Sequence, residues 1–436
     1  MDPLALSAIG IGGMFLLIAL HVPIGFAMGI AGIIGVGVVI GWGPAISLLK
    51  TEPSAVISNR DLAVIPLFLL MGSFATAAGL SSDLYRLAYA FVGHRRGGLA
   101  MSTIGGCAGF GAICGSSLAT AATMTRVALP EMLKRQYSPQ LATGCIAAGG
   151  TLGMLIPPSV IMVLYAVLTE QFVITLFVAA IIPGLVAVLF HLFAIAAYVR
   201  YAPDAGPAGP RMPWEERLEV FRQSWGVVFL AFVVSGGIYG GIFTVAEAAA
   251  VGASLAFLFT VQRRRLTWPI LKEVLRETAS STGLIYLIII GAHIFSYFIA
   301  LSELPHSMIA AIKVLDLHPM VVMFALYVVY LILGSVFDTI AAMVITLPFV
   351  FPLILDLGFD PIWFGVINVM VIEIGLITPP IGMNVFVLQG VARDIPINTV
   401  YRGIVPFLVV DLMRLVVLTV FPGLALWLPT VLEFPM

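Results

Sequence analysis

Two strings place small, hydroxyl and acidic residues in the middle of hydrophobic segments of this apolar chain. The first, Gly111 to Thr123 (GAICGSSLATAAT), contains Gly115, Ser116, Ser117, Thr120 and Thr123. The second, Leu333 to Pro348 (LGSVFDTIAAMVITLP), contains Gly334, Ser335, Asp338 and Thr339. A double proline follows each: Pro157-Pro158 in LGMLIPPSVIMV, beside Ser159, and Pro379-Pro380 in IGLITPPIGMNV, beside Gly375, Thr378 and Asn384. Proline removes a backbone donor and breaks the helical ladder, which frees carbonyl oxygens. Carbonyls and hydroxyls together can replace the hydration shell of a small cation, while the N-termini of broken helices attract an anion.

The expected cation ligands are Gly115, Ser116, Ser117, Pro157, Ser159, Gly334, Asp338, Thr339, Gly375, Thr378 and Pro379. Thr120, Thr123, Ser335 and Asn384 are expected to face a substrate. A single small-residue run would read more simply as a helix-packing seam. Recurrence reverses that preference. Pairing Gly115 with Gly334, Pro130 with Pro348 and Pro157 with Pro379 gives offsets of 334 − 115 = 219, 348 − 130 = 218 and 379 − 157 = 222, and half of 436 is 218. Interrupted hydrophobic segments at matching places in two halves point to a midplane site in a transporter.

Other charged residues carry less. Asp338 reads equally as a cation ligand or gate and as a hydrogen-bond acceptor for its own tip. Glu247 opens a helix, where it complements the dipole. Glu373 could cap or snorkel, Asp411 and Arg414 are spaced to pair along one helix, and Arg126 is expected to snorkel although it could meet substrate.

Composition decides what must position these groups. The chain is 61% apolar and 10% charged, with a mean hydropathy of +1.11, against about 25% charged in soluble proteins. It is therefore expected to be an all-α polytopic membrane protein in a lipid bilayer. A net charge of −1 argues against a nucleic-acid partner, which a basic surface would have to hold. Cys107, Cys114 and Cys145 lack metal or redox spacing and read as packing residues. The apolar N-terminus lacks the basic start of a signal peptide and is expected to be the first span.

Hydropathy divides the chain into a first half over 1–200, a linker with an amphipathic end over 201–223, and a second half over 224–436. In the first half, two spans flank a tight turn at His21. An interfacial stretch at 42–61, a span at 63–80, a re-entrant hairpin at about 98–130, a broken span at about 141–169 and a last span at 172–200 follow. The second half repeats the plan with spans at 225–241 and 245–261, a basic amphipathic stretch at 263–276 and a span at 281–301. Its hairpin lies at about 320–355, its broken span at about 362–391 and its last span at 401–421. A non-helical hairpin tip is tolerated in a membrane only where it is buried or lines a cavity.

Basic residues flank the first hairpin (His94, Arg95, Arg96, Lys134, Arg135), whereas Asp316, Asp356 and Asp360 surround the second. The positive-inside rule puts the first pair of feet in the cytoplasm and the second outside. Carried through the chain, that orientation places 16 basic residues inside and 3 outside. It implies repeats of inverted topology with both termini periplasmic.

At these strings the chain resembles the large membrane subunit of tripartite ATP-independent periplasmic (TRAP) transporters. The likeness runs through IPLFLLMG at Ile65 to Gly72, the first tip with VALPEM at Val127 to Met132, IPPS at Ile156 to Ser159, FTVAEAAAVGA at Phe243 to Ala253, and the LGSVFD and TPPIGMN strings. Val245-Ala246 stands where the family has Pro-Thr, and Cys114 and Thr125 stand where Ser and Gly are expected. The resemblance implies a non-enzymatic permease of the bacterial inner membrane that takes up an organic acid with sodium as coupling ion, by an elevator motion and without a cofactor. It further implies two partners, a small four-helix membrane subunit and a periplasmic substrate-binding protein. A stand-alone ion-coupled carboxylate transporter is the alternative. An intramembrane hydrolase built on Ser116 or Asp338 is remote, because no second acid or Ser-His pair is suitably placed.

Overall fold

A computed structural model describes residues 3–434, and among these residues no strand forms. Helices α1 (Pro3–Ala19), α2 (Ile24–Ile40), α3 (Trp42–Ser58), α4 (Val64–Ala78) and α5 (Leu80–Val92) precede the first hairpin, α6 (Gly98–Cys114) and α7 (Ser117–Lys134). The first broken span is α8 (Pro139–Leu155) with α9 (Val160–Thr169), and α10 (Val173–Tyr201) closes this half. After α11 (Trp214–Gln223) come α12 (Trp225–Tyr239), α13 (Val245–Gln262), α14 (Trp268–Leu301) and α15 (Leu304–Val314). The second hairpin is α16 (Pro319–Val336) and α17 (Thr339–Asp356), and the second broken span is α18 (Pro361–Gly375) with α19 (Met383–Val391). Helices α20 (Ile397–Val420) and α21 (Gly423–Val431) end the fold. Among the described residues seven helices are long and apolar enough to cross a membrane, or nine if each bent pair is one span.

The expected turn at His21 has a positive φ of 65°. The expected hairpin tips and proline breaks also form helix ends. Three short helices, α5, α15 and α21, were not expected, because their composition is too mixed or their length too short to register as spans. A second difference is larger. The basic stretch from Trp268 on and the span at 281–301 form one 34-residue helix, α14, about 50 Å long at about 1.5 Å per residue. No Gly or Pro separates the two stretches, so the ladder simply continues.

The halves interlock crosswise. Helix α2 packs along α14, and α13 packs along α4, so each half supplies a helix to the other. The hairpin feet lie at opposite ends of the bundle. At one end, Tyr137 Oη accepts from Leu99 N (3.1 Å) and donates to Pro207 O (3.0 Å), and Ser138 N donates to Ala205 O (2.9 Å). There the linker after α10 covers the feet of the first hairpin. Helices α8 and α9 then run away from this end until Tyr165 Oη donates to Pro361 O at 2.7 Å, beside the feet of the second hairpin. Helix α20 makes the same traverse, from Gly403 against Gln140 to Leu418 O, which accepts from Trp363 Nε1 at 3.0 Å.

Two of the expected repeat pairings are corrected by this geometry. Ser116 caps α7 and Asp338 caps α17, each accepting from the backbone N–H three residues on (Ala119 and Ala341, both 3.3 Å). Their offset, 338 − 116 = 222, equals that of the double prolines and of the starts of α8 and α18 (361 − 139 = 222). In this register Pro130 pairs with Pro352, not Pro348, and the tip of the second hairpin is Phe337-Asp338. Gly334 falls opposite Ala112 (334 − 222 = 112), beside Gly111 and a turn before its tip, rather than opposite Gly115.

Candidate cation and substrate site

Each tip faces the proline break of its own half. The first chain reversal needs Gly115, whose φ of 63° suits a residue without a side chain. A Cβ added there would sit 3.4 Å from Val160 N and 3.6 Å from Pro158 O, so tip and break are in contact. Thr120 Oγ1 donates to Ser116 O at 2.7 Å, which ties the substrate-side candidate Thr120 to its own tip. At the second tip, Gly382 N donates to Ser335 O at 2.9 Å, and Thr339 Oγ1 donates to Glu373 Oε1 at 2.8 Å. Both Pro-Pro bonds are cis.

The approach of hairpin to broken helix is a glycine contact in both halves. A Cβ at Gly111 would come within 2.3 Å of Gly153 Cα, and one at Gly375 within 2.8 Å of Gly334 Cα. Gly334 and Gly375 therefore sit at a helix crossing, where small residues let backbones meet, rather than at the tip.

The two halves are joined at Asn384. Its Nδ2 donates to Ser117 Oγ (3.0 Å) and Ala147 O (3.2 Å), and its backbone N–H donates to Leu376 O (3.1 Å). One buried side chain from the second break thus reaches the first tip and α8. Ser117, Thr120, Ser159, Ser335, Thr339 and Asn384 are all buried. Among the described residues, Ser159 Oγ is a buried hydroxyl with no hydrogen-bond partner, which makes it a free oxygen beside the first break. Thr378 Oγ1 is occupied by Ile374 O at 2.7 Å, and Pro379 is exposed.

Outside the first tip lies a cavity of about 1000 Å³, lined by Ser116, Thr123 and Arg126 of the hairpin, Ser73 and Thr76 of α4, and the polar first third of α14. Arg126 is exposed to this space. The unexpected length of α14 is what walls it. Lys272 and Arg276 face it together with Glu273 and Glu277, so an anion entering from this side meets cations close to the tip hydroxyls.

Sequence reasoning placed the tips and breaks but undervalued Glu373. Rather than capping or snorkelling, it is 1% exposed and holds Thr339. Using the double prolines alone as register would have put Glu373 two residues before Gly375, and Gly375 opposite Gly153. Asp411 pairs with Arg414 at 3.1 Å as its spacing suggested. His191 on the far side of that pair had no sequence signal, because its partner lies 220 residues away. Glu247 forms a capping box with Thr244. The three cysteines are buried and unbridged, and among the described residues no group of His, Cys, Asp and Glu is arranged to hold a metal ion.

Comparison with known proteins places this geometry. The profile described as "Tripartite ATP-independent periplasmic transporter, DctM component" matches residues 11–424. The chain is 37% identical over 389 residues to the C4-dicarboxylate TRAP transporter large permease protein DctM of Pseudomonas aeruginosa, covering 88% of each chain. It is 31% identical over 374 residues to the sialic acid TRAP transporter large permease protein SiaM of Vibrio cholerae, covering 86% of this chain and 87% of that one. A similar fold occurs in the crystal structure of the Alcanivorax borkumensis YdaH transporter, with a TM-score of 0.64 at 16% identity over 88% of this chain and 90% of that one.

Proposed function

This chain belongs to the DctM family of TRAP transporter large permeases, and on that premise we propose that it carries an organic acid inward together with sodium by an elevator motion. The family is one of multi-span membrane transporters and is not enzymatic. The observation that carries the reading is the pairing of each hairpin tip with a proline break, joined through Asn384 to Ser117.

Sodium suits the donors at these places. They are hydroxyl and carbonyl oxygens with one carboxylate, Asp338, a hard-oxygen set without the His and Cys that a transition metal favours. Each sodium ion that enters down about 100 mV releases about 2.3 kcal/mol, so two ions could drive accumulation without ATP. The substrate carboxylate would sit in the cavity against Ser116, Thr123 and Arg126, near the N-terminus of α7, whose dipole favours an anion. Hairpin feet at opposite ends support inverted repeats. With the first pair of feet and the linker cytoplasmic, both termini are periplasmic and the cavity opens inward.

In the elevator reading the hairpins and broken spans move as one body, held together by the two glycine crossings and by Asn384. The crossed pairs α2 with α14 and α4 with α13 form the frame against which that body slides. Two of the relatives are named for a C4-dicarboxylate and for sialic acid, both carboxylates, and the proposed substrate is of that class. The tripartite family name supports a small membrane subunit and a periplasmic binding protein as partners. The test is uptake of radiolabelled succinate and sialic acid into proteoliposomes with both partners present. Uptake of at least one acid that collapses when external sodium is replaced by potassium is expected, and uptake indifferent to that replacement would refute the sodium reading.

A further inference from the structure

Charge deep in an apolar bundle is costly unless it is paired, and this molecule buries four ionisable groups in one continuous region. Arg414 of α20 is 1% exposed and is the largest fully buried side chain. One of its terminal nitrogens meets Asp411 Oδ1 at 3.1 Å, and the same oxygen meets His191 Nε2 of α10 at 3.0 Å. These three clasp α10 to α20. The clasp has spare capacity, since Arg414 Nε and Nη1 have no hydrogen-bond partner among the described residues. On the neighbouring helix, α18, Glu373 likewise uses one oxygen, accepting from Thr339, and leaves Oε2 unpartnered. Helix α18 packs along α20.

We infer that Glu373, on the helix that packs against the one bearing the Arg414–Asp411–His191 clasp, is a positioning residue for the second hairpin tip and acts through Thr339. Three observations carry this. Thr339 is the first residue of α17, so a hydrogen bond on its side chain fixes where that helix starts and where Asp338, one residue earlier, presents its cap. The contact joins a hairpin tip to the intact part of the broken span rather than to the break itself, so it survives any rearrangement of residues 376–382. The first tip has no carboxylate in the equivalent place: position 373 − 222 = 151 is Thr151, whose hydroxyl is spent on Ala148 O at 2.7 Å. The second tip is thus held by a buried carboxyl side chain, an acceptor that has no counterpart at the matching place in the first half. Glu373 touches neither cation nor substrate in this role.

The inference rests on the sodium reading above, so its test reads two signals. Sodium titration of the apparent melting temperature, in potassium buffer and with the purified chain, gives a half-saturation for the wild type. Glu373→Met and Thr339→Val are each expected to raise that half-saturation about tenfold. Together they should raise it no further than the worse of the two. Arg414→Lys keeps the charge but not the planar fork; it should weaken sodium severalfold in the wild-type background and have no effect on top of Glu373→Met.

Additive effects, or an unchanged half-saturation in Glu373→Met, would overturn the inference. If Glu373→Met does not give folded protein, Glu373→Gln, which keeps shape and loses charge, takes its place in the same cycle. The second signal needs no sodium: maleimide labelling of Ile340→Cys, next to Thr339, in potassium alone. Labelling should speed up at least fivefold with Glu373→Met, and an unchanged rate would also overturn the inference. A wild type that does not respond to sodium, with labelling that does respond to Glu373→Met, would discard the sodium reading and keep the positioning role.

Discussion

The two proline breaks share a motif and differ in nearly everything around it. The first is short, Ile156 to Ser159, with Pro157 and Pro158 both buried. The second is longer, Leu376 to Gly382, with Pro379 and Pro380 exposed. Proline deprives the carbonyl four residues earlier of its donor. At the first break those carbonyls belong to Gly153 and Met154, inside a packed wall. At the second they belong to Gly375 and Leu376, and both are reclaimed: Thr378 N donates to Gly375 O at 2.8 Å, and Asn384 N to Leu376 O at 3.1 Å. Tyr401 Oη adds a bond to Ile381 O at 2.6 Å. One break keeps carbonyl capacity beside the free hydroxyl of Ser159, whereas the other has spent it on its own loop. The same residue pair therefore leaves open carbonyls when the break is compact and a self-bonded loop when it is extended.

Substitutions can break this contrast. The largest effect is expected at the glycine crossing that presses the first hairpin onto its broken span. Gly111→Ala would put a methyl 2.3 Å from backbone at Gly153, and should cost about 2–3 kcal/mol by overpacking, lowering the apparent melting temperature in detergent and abolishing uptake. Asn384→Leu comes next. It leaves Ser117 Oγ and Ala147 O buried without their shared donor, at a cost of about 1–3 kcal/mol, and should lower maximal uptake by severing the first tip from the second break.

Two smaller changes sharpen the contrast. Ser159→Ala removes a hydroxyl that bonds to no protein atom, so the melting temperature without sodium should stay within about 0.5 kcal/mol of wild type. The sodium half-saturation for uptake should rise severalfold. Thr378→Val removes a hydroxyl of the break that is already bonded to Ile374 O at the end of α18 and should alter neither stability nor sodium dependence appreciably. Equal sodium effects from Ser159→Ala and Thr378→Val would show that the two breaks do the same work.

Much of this was legible in the sequence, for physical reasons. A hydroxyl-rich tip or a double proline inside an apolar segment is too costly to be incidental in a membrane, so Gly115, Ser116, Ser117, Asp338 and the Pro-Pro pairs marked the hairpins and breaks directly. Register was harder. Gly334 looks like Gly115 because both precede serines, yet Gly334 is a packing glycine that falls opposite Ala112, next to Gly111. The caps Ser116 and Asp338, chemically unlike but geometrically equivalent, share the offset of the double prolines. Long-range pairs were not legible at all. Nothing local to His191 or Asn384 announces a partner more than 200 residues away. The fusion that makes α14 was hidden because amphipathic and apolar stretches change composition without any change in backbone, and the cavity wall it provides went unseen with it.

The most direct test of the proposed sodium-coupled uptake is the accumulation of a radiolabelled organic acid in proteoliposomes that hold this chain and the proposed small membrane subunit, with the proposed binding protein outside and an imposed inward sodium gradient. Accumulation above the external concentration, lost when sodium is equal on both sides and the membrane potential is set to zero, is the predicted result. Accumulation that persists without any sodium gradient or potential would contradict it.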